Sequence, residues 1–180
     1  TVRVDSLSAA HEWTKVGLMV REDLGASARN AFLLLTDSNG VLFQRREAVG
    51  GNTNDVLPDG TYMRDYVALA PWWLQLERAG SEIIARHSAD GSSWRELGRV
   101  VLEMSQDVYI GMAVTSRNPD QVARAIFASV DLVGIGGGSA PTPTTPNPPV
   151  APLPVTGPTV SASYSRSDEI FPNPERGWQG

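Results

Sequence analysis

Trp72-Trp73-Leu74-Gln75-Leu76-Glu77-Arg78-Ala79-Gly80-Ser81-Glu82-Ile83-Ile84-Ala85-Arg86-His87 decides the fold class. Trp72, Leu74 and Leu76 fall on one parity and Trp73, Gln75 and Glu77 on the other, and Ala79-Gly80-Ser81 then reverses the chain into a second alternating run. Period-two alternation across a tight turn predicts a β-hairpin, because successive side chains of a strand point to opposite faces. Ala89-Asp90-Gly91-Ser92 supplies a second turn, into a strand over 94–104. Two further strands, over 108–115 and 121–133, are expected to complete a meander. Antiparallel meanders build sandwiches or barrels, folds that accept ligands readily and betray little chemistry in their sequence.

Upstream of this block the pattern stays strand-like. Residues 16–22, Val-Gly-Leu-Met-Val-Arg-Glu, are apolar on both parities, as expected of a central strand covered on two faces. Strands over 31–36 and 41–46 flank Asp37-Ser38-Asn39-Gly40, where the Asn-Gly pair predicts a primed turn. Gly50-Gly51-Asn52-Thr53-Asn54-Asp55 reads as a loop and 61–70 as a weaker extended strand. No stretch has helical periodicity.

The chain has 180 residues, 41% of them hydrophobic, enough for one good core. Its net charge of -5 gives no electrostatic footprint for a nucleic-acid backbone, so neutral or mixed-charge partners are expected. Cysteine is absent, which excludes disulfides, thiolate nucleophiles and Cys-ligated zinc. No run reaches the roughly 18 consecutive apolar residues of a membrane-spanning helix. The strand-like Thr1-Val2-Arg3-Val4-Asp5 starts at once, so the chain reads as cut at its front.

At Gly134 the composition shifts to Gly-Ile-Gly-Gly-Gly-Ser and then to a Thr/Pro-rich tract. Proline fixes φ and removes backbone donors, so 134–158 is expected to be a semi-stiff linker. Tyr164, Ile170, Phe171 and Trp178 return in 159–180, which reads as the truncated start of a second, covalently linked domain. About 20 residues cannot bury a core alone. Leu153-Pro154-Val155-Thr156-Gly157 matches a sortase sorting signal but is followed by Pro158 and more polar chain, not an apolar span and basic tail, and reads as a linker coincidence.

Four segments in order, 16–22, Pro71-Trp72-Trp73-Leu74-Gln75-Leu76-Glu77-Arg78, Ser88-Ala89-Asp90-Gly91-Ser92-Ser93-Trp94 and Val108-Tyr109-Ile110-Gly111-Met112-Ala113-Val114-Thr115-Ser116, resemble the concanavalin A-like accessory domain also known from β-xylosidase C-terminal regions. The resemblance covers most of 1–133. It implies an all-β, antiparallel two-sheet jelly-roll sandwich attached to secreted or cell-surface bacterial carbohydrate-active proteins, with a polysaccharide or glycan as partner. It carries no established set of binding residues, and because the family's usual Gly-rich opening strands are missing here, it implies a domain lacking its first strands, with an unpaired edge or exposed apolar strip on one sheet. Ser167-Asp168-Glu169-Ile170-Phe171-Pro172-Asn173-Pro174-Glu175-Arg176-Gly177-Trp178 resembles the opening of uncharacterised barrel domains described as glycoside hydrolases, whose catalytic carboxylates would lie beyond Gly180.

Candidate chemistry within the chain is sparse. Glu22-Asp23 and Asp90 could pair as glycosidic carboxylates, but Asp90 sits in an Asp-Gly turn and Asp23 at a strand end, where capping the local backbone is the better account. His87 shares its parity with Ile83 and Ala85 and reads as a partly buried structural histidine; His11 is the other one. Asp37-Ser38-Asn39-Gly40 and Asn52-Thr53-Asn54-Asp55 have the donor type for calcium but too few ligands, so no cofactor and no catalytic residue is assigned. The positive hint is Trp73 with Gln75 and Arg86 on one sheet face, joined in the reading by Gln44 and Arg46, an arrangement suited to stacking and hydrogen bonding a sugar. Alternatively Trp73 lies under the 61–70 segment and extends the core. Trp94 is expected to close its hairpin. Three roles stay open: a non-catalytic carbohydrate-binding module, a ligand-free spacer, and a fragment of a glycoside hydrolase.

Overall fold

The alternating pattern becomes strands throughout the computed structural model, which describes residues 1–8 and 11–134. In chain order they are β1 (Val2–Ser8), β2 (Lys15–Arg21), β3 (Asn30–Thr36), β4 (Val41–Arg46), β5 (Arg64–Asp65), β6 (Trp72–Ala79), β7 (Glu82–Ser88), β8 (Arg95–Val101), β9 (Tyr109–Thr115) and β10 (Arg124–Ala128). Among the described residues there is no helix, and hence none long and apolar enough to cross a membrane. Two five-stranded antiparallel sheets result, β10-β1-β6-β7-β8 and β5-β4-β3-β2-β9.

The sheets sandwich one core. Val2, Val4, Leu74, Ile83 and Ala85 from the first sheet meet Val16, Leu18, Val20, Leu33, Leu35 and Phe43 from the second. Burying such side chains is worth about 1.5–3 kcal/mol each relative to leaving them exposed, which is what holds two otherwise solvated sheets together. The second sheet also covers its far face: Met19, Phe32, Leu34 and Leu42 form a separate buried cluster with Trp13 and Ala113 packed on it. That is why β2 and β3 are apolar on both parities.

Three sequence expectations are corrected. The strands after Trp72 do not form a complete meander: β6, β7 and β8 do, but β9 crosses to the other sheet beside β2, and β10 pairs with β1. The connection over 102–108 is long enough to cross, and Leu102 and Met104 are buried in the core on the way. The turn at Asp37-Ser38-Asn39-Gly40 is not primed, since only Gly40 has positive φ (74°), whereas a primed type I turn needs it at two residues. Thr36 closes that loop instead, its N–H and hydroxyl both donating to the Gly40 carbonyl at 2.9 Å. Finally, the strands over 61–70 and 121–133 shrink to Arg64–Asp65 and Arg124–Ala128. Nearly all of the expected linker, the second domain and the sorting-signal match lie outside the described residues.

Candidate functional site

The β6–β7–β8 meander ends in a cleft of about 380 Å³ lined by Trp72, His87, Ser88, Ala89, Asp90, Ser93, Trp94 and Arg95. Its size falls within the range of small-molecule sites. Trp72 opens β6 with its side chain on the core side, and His87 lies near the end of β7 on the same side. The two rings stack with centroids 6.1 Å apart, and the Trp72 indole Nε1–H donates to His87 Nδ1 at 3.1 Å. Trp94 stands across the cleft, at the end of the turn that leads into β8.

That turn is built by Asp90. Its Oδ1 accepts from the backbone N–H groups of Ser92 and Ser93, both at 2.7 Å, and from the Ser88 hydroxyl at 2.9 Å. These donors, the Ser93 amide first, hold the Asp90 carboxyl well below the usual carboxylate range, so it stays ionised. The turn-capping role read from the Asp-Gly pair is therefore what the structure shows.

His87 is 2% exposed. Burial lowers its pKa, with Asp65 opposing and Arg95 adding to the effect. Because Nδ1 accepts from Trp72, the neutral ring carries its proton on Nε2, which faces Asp65 Oδ2 at 3.7 Å. Asp65 in turn accepts from the exposed Arg95 at 2.9 Å. A histidine beside an aspartate suggests a general base, yet Nδ1 is taken by the Trp72 indole and the residue is buried. His87 is a wall of the cleft that orients Trp72. Among the described residues no three His, Asp or Glu side chains converge on a point where they could hold a metal ion.

The sequence-predicted binding residues divide between two faces. Trp73, Gln75 and Arg86 do share the outer face of the first sheet, where Arg86 donates to Gln75 Oε1 at 3.2 Å and to Glu77 Oε2 at 2.6 Å. These polar groups satisfy one another, and Ile84 is buried on the same face of β7. Trp73 is half-buried there. The β7–β8 turn lies on it: Gly91 has φ 76°, and a Cβ there would come 2.7 Å from the indole Cε2.

Gln44 and Arg46 do not join that face. On β4 they alternate with core-facing Phe43 and share the parity of Leu42, which puts them on the outer face of the opposite sheet. Gln44 accepts from Lys15 Nζ at 3.0 Å, and burial, with Arg117 nearby, lowers the Lys15 pKa to about 8. Arg46 is buried and donates to the Ala26 carbonyl at 2.6 Å. The oxygen-rich loops are likewise spoken for: Asp37 accepts from Ser38, and Asp55 forms a buried ion pair with Arg64.

The sequence pattern does not group Trp72, His87, Asp65 and Arg95: parity alone puts Trp72 toward the core, and Asp65 is distant in sequence. The signal that could join two of them is the shared core-side parity of Trp72 and His87 on paired strands. Comparison of the chain with protein-family models, with curated proteins and with solved structures finds no match in any of the three.

Proposed function

We propose that the chain is a non-catalytic accessory module that binds carbohydrate, a polysaccharide or glycan, in the cleft between Trp72 and Trp94. The single observation that carries this reading is the pairing of two indoles with an ionised carboxylate in one open cleft of about 380 Å³. A pyranose has an apolar C–H face, which an indole can cover, and a rim of hydroxyl donors. The ionised Asp90 carboxylate in the cleft lining offers an acceptor for that rim, and the exposed Arg95 offers donors. Partial neutralisation of Arg95 by Asp65 favours a neutral sugar over an anionic one. The resemblance to concanavalin A-like accessory domains supports the same reading, and with it jelly-roll connectivity, attachment to a larger bacterial carbohydrate-active protein and a secreted or cell-surface location.

The test is retention on immobilised plant, fungal and bacterial polysaccharides, comparing the wild-type chain with Trp94→Ala and with Trp13→Ala, which lies against the other sheet. Binding to at least one polysaccharide that Trp94→Ala loses and Trp13→Ala keeps is the expected result. No retention on any of them rejects the reading in favour of a ligand-free spacer.

A further inference from the structure

Among the described residues four strands form the sheet edges: β8 and β10 in one sheet, β5 and β9 in the other. An exposed edge is a row of unpaired backbone donors and acceptors, and stable proteins blunt it with charge, proline, bulges or brevity. Three of these edges are blunted. β8 carries Arg95, Glu96 and Arg99 and is bulged against β7 at Ala85/Arg86. β10 begins with Arg124 and meets β1 across a register shift at Val4/Ser6. β5 is two residues long.

β9 has no such device. Tyr109-Ile110-Gly111-Met112-Ala113-Val114-Thr115 contains no charge and no proline, and it pairs with β2 in unbroken seven-residue register. Ile110, Met112 and Val114 lie opposite Val20, Leu18 and Val16 and so point to the core side. Even so, Ile110 is 53% and Val114 37% exposed, because the sandwich is open along this edge.

We infer that the β9 edge is an isologous dimer interface, at which a second copy of this chain adds its own β9 antiparallel and joins two five-stranded sheets into one of ten strands. The strand is self-complementary in one register. A two-fold axis through Met112 places Ile110 opposite the partner's Val114, Gly111 opposite the partner's Ala113 and Tyr109 opposite the partner's Thr115. Both exposed core-side residues are then covered by each other, and the small Gly111 and Ala113 face one another on the outer side. Like charges directly opposite are what disfavour a strand pairing with itself, and this register contains none although the chain as a whole carries -5.

Sedimentation velocity of the 180-residue chain over a concentration series tests this. The wild type should sediment with doubled mass at micromolar concentration. Ile110→Lys and Val114→Lys, each at an already exposed position, should weaken association by about a hundredfold, since pairing would desolvate an unpartnered ammonium. Because the chain has no cysteine, Met112→Cys should cross-link to itself with a short bis-maleimide, while Val122→Cys, on an exposed loop, should not. A wild type that remains monomeric overturns the inference, as does a dimer that both lysine variants retain. Should the lysine variants lose their circular-dichroism signal, the cross-linking decides: reaction at Cys-substituted position 122 without reaction at 112 overturns it.

Discussion

The indole N–H of Trp72 occupies Nδ1 of His87 at 3.1 Å, and this one bond fixes the tautomer of a buried imidazole and the angle of the ring that walls the cleft. A protonated His87 would have to place a second N–H against that donor. Burial and the Trp72 bond therefore both favour the neutral ring.

The pH dependence of stability follows from the burial of that ring. The folded pKa of His87 is lowered from an unfolded value of about 6.5, so the unfolded chain binds more protons and stability rises with pH. The contribution is fully present above about pH 6.5 and is lost as the pH falls through the folded value. Urea midpoints should decline from pH 7 to 5 with a slope of at most about 1.4 kcal/mol per pH unit from this group. His87→Asn should flatten that slope. An unchanged slope would assign the decline to other groups.

Gly91→Ala should destabilise the fold by roughly 1–3 kcal/mol, because φ 76° is strained for an L side chain and the added methyl meets the Trp73 ring. Chemical denaturation gives the cost. A shift in tryptophan emission should accompany it as the turn lifts from the indole.

Arg64→Met should cost about 3–5 kcal/mol, since it leaves the Asp55 carboxylate buried without its ion-pair partner. The double variant Asp55→Leu/Arg64→Met should recover part of that loss. A single variant as stable as wild type would show that water reaches Asp55 at no cost.

Much of the sandwich was legible because its signal is local. The alternation of Trp72-Trp73-Leu74-Gln75-Leu76 and the glycine at Gly80 report strand, turn and face with no knowledge of the rest of the chain. Whether β9 follows β8 in one sheet or crosses to β2 is a long-range choice, and both strands put apolar residues on their core sides, Val100 in β8 and Ile110, Met112 and Val114 in β9, so parity does not distinguish the two. The site was less legible for the same reason. Trp73, Gln75 and Arg86 share a face because period two dictates it. That Gln44 and Arg46 face away on the other sheet depends on which sheet β4 joins. The cleft depends on Asp65 reaching His87 and on Gly91 laying the turn across Trp73, contacts that no spacing in the sequence announces.

Trp94→Ala should change stability by no more than about 1 kcal/mol, because the indole lies at the partly exposed end of a turn already held by Asp90. Its melting curve should overlay that of the wild type. Loss of the fold would place Trp94 in the core and remove it from the cleft wall.

The most direct measurement is a titration of the ¹⁵N-labelled chain with a neutral oligosaccharide drawn from a polysaccharide that retains it, following the indole N–H resonances of its five tryptophans. Those of Trp72 and Trp94 should move together and saturate, while that of Trp13 stays in place. Saturating shifts at Trp73 with none at Trp94, or no indole shift with any such oligosaccharide, would contradict a sugar-binding cleft at the end of the β6–β7–β8 meander.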